Sequence, residues 1–157
     1  MPAFPSPAPA SGAALPAAAQ RRCPVASPLL ASAQSVSAPG GPLAALRELA
    51  ESLARRAEGA GAAAVSTVPL PADGAVLLLS LWTSYAGLRA AVLDSGPEVR
   101  AWQARTGLVP VSERALWWTH DPAPPEAAEG LARLARLRAA GPGAHAFTLR
   151  SPVPPPR

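Results

Sequence analysis

The order of predicted elements indicates an α+β domain in which helices cover one face of an antiparallel sheet. Apolar residues recur every three or four positions over residues 42–59 and again over 131–137, which is typical of amphipathic helices. Two strand-like segments, 62–70 and 75–82, are separated by only four residues that favour a turn. The chain therefore predicts the order strand, helix, hairpin, helices, strand, helix, strand.

The beginning of the chain has the composition of a tail. Ala, Pro, Ser and Gly supply 30 of residues 1–42, and no acidic residue occurs there. Because such a segment buries too little apolar surface to offset the entropy of ordering, we expect residues 1–41 to be disordered. Residues 25–36 are the exception and form a weak first strand. Pro24 and Pro28 would confine that strand to a sheet edge.

The first helix is predicted over residues 42–59, since Pro42 suits a first turn and Gly59 a helix end. The hairpin that follows turns at Asp73-Gly74. Thr83 or Ser84 is the candidate cap of one shorter helix, and Ser95 is the candidate cap of the next. The remaining elements are a strand at 114–119, a helix that ends at Gly141, and a last strand at 146–150, so that the domain spans residues 42–150 and a Pro-rich tail spans 151–157.

Charge and composition exclude several classes of protein. The formal net charge of +4 comes from arginines that alternate with acidic residues, without the basic face and stacking aromatics of a nucleic-acid binder. Cys23 is the only cysteine, so neither an internal disulfide nor a Cys-based metal site is expected. No apolar run is long enough to span a bilayer, and no secretory signal or glycine-rich nucleotide loop is visible. We expect a cytoplasmic protein without membrane, metal or cofactor.

Three stretches carry more specific motifs: Leu78-Leu-Ser80-Leu-Trp82 with Tyr85 after it, Leu116-Trp117-Trp118, and Gly141-Pro142 followed by Ala146-Phe147-Thr148. In these stretches the chain resembles the bacterial family known as domain of unknown function 3291. One departure is Ser95-Gly96-Pro97, which stands where that family usually has a Ser-x-His segment. The resemblance implies the ferredoxin-like fold of the dimeric α/β-barrel superfamily, which also holds the antibiotic-biosynthesis monooxygenases.

That resemblance suggests two functions, and the residues leave both open. One is a cofactor-free, oxygenase-like protein that handles a small apolar or aromatic ligand in a cavity under the sheet. The other is a non-catalytic binding or structural module of the same fold. A homodimer is expected in either case, because Leu77 and Leu79, or their neighbours Leu78 and Ser80, would otherwise face solvent on the uncovered side of the sheet.

Aromatic residues are the main candidates for ligand contact. Trp117 and Trp118 must point to opposite faces of their strand, and Trp82 and Trp102 fit either a core or a ligand pocket. His120 beside Asp121 is the candidate general base, since a carboxylate raises the pKa of an imidazole. The alternative interpretation is that the His–Asp pair only forms a turn before the prolines that follow.

Overall fold

The computed structural model describes residues 26–157, in which four strands and four helices follow one another. A short 3₁₀ turn, Pro71–Asp73, joins the second and third strands, and Gly74 closes it with a φ of +57° that suits glycine. The elements are β1 (Leu29–Ser37), α1 (Leu43–Gly59), β2 (Ala64–Leu70), β3 (Ala75–Trp82), α2 (Tyr85–Leu93), α3 (Gly96–Thr106), β4 (Val111–Thr119) and α4 (Ala127–Ala140).

The four strands form one antiparallel sheet in the order β2-β3-β1-β4. This is the ferredoxin-like arrangement, and the predicted fold class is confirmed.

β1 lies in the centre of the sheet and pairs with both β3 and β4, so the prediction of an edge strand is wrong. Pro28 precedes the first strand residue, Leu29, so it removes no hydrogen bond from the ladder. The folded domain therefore begins before residue 42. The part of the expected tail at residues 1–25 lies outside the described residues.

The first three helices cover one side of the sheet, called here the three-helix face. α1 buries Leu46, Leu49 and Leu53 against Val36 of β1 and Leu78 of β3. α3 packs on α1, and α2 lies beside α1 over the end of β3. An amphipathic stripe on α1 thus anchors this layer.

The opposite side of the sheet is crossed by α4 alone and is called here the single-helix face. Leu134 of α4 packs there among Leu77, Leu79 and their neighbours on β1 and β4. A Cβ atom on Gly130 would lie only 3.0 Å from the Cβ of Ala33, so glycine permits this close approach. Leu77 and Leu79 are therefore buried within a single chain, a covering that the sequence did not predict.

The chain after α4 returns along the outer edge of β4. Phe147 and Leu116 exchange two backbone hydrogen bonds of 2.9 Å, which form an isolated bridge where a last strand was expected. Farther on, the Trp118 indole donates to the carbonyl oxygen of Val153 at 2.8 Å. Part of the expected C-terminal tail is thus fixed to the domain.

Candidate functional site

A row of polar side chains crosses the centre of the three-helix face. Ser32 and Gln34 project from β1, and the strand register places Ser80 opposite Ser32 and Arg114 opposite Gln34. Ser32, Gln34 and Ser80 are at most 8% exposed. Since buried polar groups cost free energy unless they find partners, this polar row requires a physical explanation.

A cavity of about 30 Å³ lies between the polar row and the helices above it. Leu53 of α1 and Leu88 of α2 form part of its apolar wall, and the Trp82 ring lines it beside Ser80. A space of this size holds one or two water molecules. We call it the helix-side cavity.

Hydrogen bonds fix most of the polar row in place. The Trp82 indole nitrogen donates to the Ser80 hydroxyl oxygen at 2.8 Å, and a hydroxyl that accepts one bond keeps its own proton to donate. The Arg114 Nη2 atom donates to the Gln34 carbonyl oxygen, and the Gln34 amide nitrogen donates to Ser112 at 3.1 Å. Gln34 therefore orients the Arg114 guanidinium group.

Among the described residues, the Nε atom of Arg114 is shielded from solvent and makes no hydrogen bond. Burial lowers the pKa of Arg114 to about 10, so the group still carries its charge at neutral pH. Arg56, a second cation at the cavity, donates through Nε to Glu98 at 2.8 Å, and this bond lowers the pKa of Glu98. The charge of Arg56 is thus matched by a carboxylate.

The four tryptophans lie in different environments. Trp82 alone of the four lines the helix-side cavity. Trp102 is buried between α1 and α3 and donates to the carbonyl oxygen of Ala45 at 2.8 Å. Trp117 packs on the single-helix face, whereas Trp118 is half-buried on the three-helix side, as strand alternation requires. The structure therefore does not bring the four candidates together.

His120 lies exposed at the end of β4, and the residues that line the helix-side cavity do not include it. Its Nδ1 atom is 3.3 Å from the carbonyl oxygen of Ala26. The neighbouring Asp121 accepts a hydrogen bond of 2.9 Å from the backbone of Ala123, which is typical of a turn. The geometry at this point thus fits the turn interpretation of the His–Asp pair.

Residues 26–157 contain neither a cluster of metal-binding side chains nor a helix that could span a membrane. In that part of the chain no three His, Cys, Asp or Glu side chains come together in a group that could hold a metal ion. No helix there has both the length and the apolar character needed to cross a membrane.

The family model described as Domain of unknown function (DUF3291) matches residues 19–157. The chain belongs to this family. The family resemblance found in the sequence is thereby confirmed.

Comparison with curated proteins finds no match. Among solved structures, the chain is similar to a crystal structure of SnoaB, a cofactor-independent oxygenase from Streptomyces nogalater, with 16% sequence identity and a TM-score of 0.47. That alignment covers 59% of this chain and 94% of SnoaB.

The sequence interpretation missed Ser32, Gln34, Ser80 and Arg114 as site residues. One signal was available, because Ser80 is the only polar residue in the strand Ala75–Trp82. A polar residue inside an otherwise apolar, fully buried strand is the informative observation in such a pattern. The site residues on β1 and β4 could not be found in this way. They meet Ser80 only through the register of the sheet, which no short motif specifies.

Proposed function

We propose that this DUF3291 protein binds a small ligand in the helix-side cavity. The observation that carries the proposal is the polar row, placed where a sheet that only had to pack would carry apolar side chains. Three strands contribute to it, and its half-buried cation, Arg114, has no carboxylate partner among the described residues. An apolar pocket with a few convergent polar groups is the usual form of a ligand site.

The lining supports a ligand with two unlike ends. A polar end would meet Ser80 and Arg114, and an apolar or aromatic body would lie along Trp82 and Leu88. A single aromatic ring needs a cavity of roughly 150 Å³, so such a body requires the helix layer to move outward. α2 is the element suited to this movement, because it has nine residues and buries only Leu88 and Ala91.

An oxygenase-like reaction without a cofactor is the second candidate function. It is supported by Arg114, whose charge would stabilise the oxyanion of a bound phenol or enol, a form that reacts with dioxygen more readily than the neutral molecule. Binding without catalysis is the alternative, and it is favoured because none of the residues that line the cavity is a carboxylate or a histidine. The cytoplasmic location and the lack of a nucleic-acid partner stay predictions.

Quenching of tryptophan fluorescence by 2-naphthol, a neutral aromatic probe, tests the proposal. We expect saturable quenching in the wild type and in Trp117→Phe, whose ring lies on the single-helix face, and its loss in Trp82→Phe. Equal quenching in Trp82→Phe and the wild type would place the ligand elsewhere and contradict the proposal.

Oxygen uptake with a dihydroxynaphthalene separates the oxygenase from the binding module. Uptake that requires Arg114 supports the oxygenase, whereas binding without uptake supports the module. His120→Ala tests the base predicted from the sequence, since a loss of about 100-fold in uptake would establish that role. Because His120 lies outside the cavity, we expect the quenching of Trp82 to be unchanged in this variant.

A further inference from the structure

Arg114 is a shielded cation that the described structure leaves without a carboxylate. The ion pairs in residues 26–157 engage Arg56, Arg105, Arg133 and Arg138. Glu113, the residue before Arg114, projects to the other face of the sheet and pairs with Arg138 of α4. Residues 1–25 contain no Asp or Glu, so that segment offers no side-chain carboxylate either.

The hydrogen bonds of the described residues hold the guanidinium group through one of its nitrogens. The Nη2 atom is held by the carbonyl oxygen of Gln34, which is itself fixed by Ser112. The shielded Nε–H group has no acceptor among the described residues. Guanidinium is planar, and its parallel N–H groups match the two oxygens of a planar oxyanion.

We propose that the helix-side cavity holds a small planar oxyanion, such as the carboxylate end of a ligand, against the guanidinium group of Arg114. The inference rests on the proposed ligand-binding function and names the chemistry of the ligand. A cavity of about 30 Å³ suits a group of a few heavy atoms. The Ser80 hydroxyl is a further donor beside it, and the anion neutralises a charge that is costly to bury alone.

A purely structural role for Arg114 would have a different physical basis. A cation with a structural role in a protein interior is paired with a carboxylate and has its donors satisfied by hydrogen bonds. The arrangement here instead uses Gln34 and Ser112 to fix the guanidinium group while one donor stays unused. Such fixation is expected of a group that receives a ligand.

Thermal unfolding of the full chain at constant ionic strength tests the proposal, with 100 mM chloride replaced by acetate or by nitrate. Specific binding stabilises the folded state, and we expect Tm to rise by about 2–4 °C in the wild type. Arg114→Gln should lose this rise. Arg138→Gln, in which the lost cation is exposed on the other face, should keep it. General salt effects on stability act on all three proteins alike.

A second measurement uses only the wild type and does not depend on the folding of a variant. Acetate or nitrate should shift the indole N–H resonance of Trp82, which lines the cavity, and leave those of Trp102 and Trp117 in place. A response to acetate alone indicates an organic carboxylate, and an equal response to nitrate indicates that an inorganic oxyanion also fits; both support the proposal.

Either of two results would contradict the proposal. The proposal is wrong if neither anion shifts the Trp82 resonance, or if Arg114→Gln responds to both anions as the wild type does. Quenching of Trp82 by 2-naphthol under the same conditions would then leave the ligand-binding function standing without its anion. If none of the three probes reaches Trp82, both proposals fail.

Discussion

The two faces of the same sheet differ in kind. On the single-helix face, α4 packs against alanines, leucines and Trp117, and Gly130 lets the helix approach closely. On the three-helix face, three helices cover a sheet whose centre is polar and beside which a cavity remains. The same strands supply both faces, since successive side chains alternate between them. The single-helix face is therefore lined by apolar side chains that pack under α4, whereas the three-helix face carries buried polar groups beside a cavity.

The two faces also differ in what they contribute to stability. Close packing holds a domain in one structure, and α4 packs closely on the single-helix face where Gly130 meets Ala33. A buried cation and a cavity lower stability, and sites that do so are usually retained for what they bind. The free energy of unfolding should consequently respond differently to substitutions on the two faces.

The largest expected change in the free energy of unfolding is on the single-helix face. Leu79→Ala removes a fully buried side chain under α4, and we expect it to lower the free energy of unfolding by about 2–5 kcal/mol. Ser32→Ala, in the polar row, should cost less than about 1 kcal/mol. Urea denaturation of both variants measures the difference. Equal losses would mean that the polar row is part of the structural core.

Gly130→Ala tests the close approach of α4 to the sheet on the single-helix face. The new methyl group would lie 2.8 Å from a methyl carbon of Leu79 and 3.0 Å from that of Ala33, so α4 must shift away from the sheet. We expect a loss of about 1–3 kcal/mol in the free energy of unfolding. Gly59→Ala is the matched control, because its added methyl group meets nothing within 4 Å and alanine favours the helix. A neutral Gly130→Ala would contradict the close packing described for this face.

On the three-helix face, removal of Arg114 should raise the free energy of unfolding. Arg114→Met removes an unneutralised buried charge, and we expect the free energy of unfolding at pH 7 to rise by about 0.5–2 kcal/mol. Because the pKa of Arg114 is lowered to about 10, the folded protein loses this proton before the unfolded chain does. The advantage of the variant should therefore be complete at pH 7 and should shrink as the pH rises above about 10.

Chemical denaturation at pH 7 and at pH 10.5 measures this change. The double variant with Gln34→Leu also removes the acceptor that Arg114→Met leaves unpaired. A loss of stability in both the single and the double variant would show that Arg114 is structural.

The smallest expected effect concerns assembly. The homodimer predicted from the sequence relied on one face of β3 being uncovered, that of Leu77 and Leu79 or that of Leu78 and Ser80. Both faces are buried within one chain. A dimer therefore has to use other surface, such as the exposed Val111 and Leu131 beside the single-helix face. Light scattering at micromolar concentration tests the prediction, and a mass equal to one chain across a dilution series would contradict it.

Most of the secondary structure could be predicted because its signals are local. The apolar stripe of α1, the turn at Gly74 and the Ser84 cap, whose hydroxyl accepts a hydrogen bond from Gly87, all lie within a few residues of the element they define. β1 was underestimated because its short side chains, Ala and Ser, are a weak strand signal, although they suit a central strand that is covered on both faces.

Sequence alone determined which segments become strands and helices, the family and the fold class, since periodicity, caps and motifs are properties of neighbouring residues. Tertiary structure alone decided the site. Ser32, Ser80 and Arg114 lie on three different strands, and only the register of the sheet places them side by side. The position of α4 likewise depends on Gly130 meeting Ala33 nearly a hundred residues away. Contacts over such distances leave no local pattern in the chain, because each partner alone is an ordinary serine, arginine or glycine.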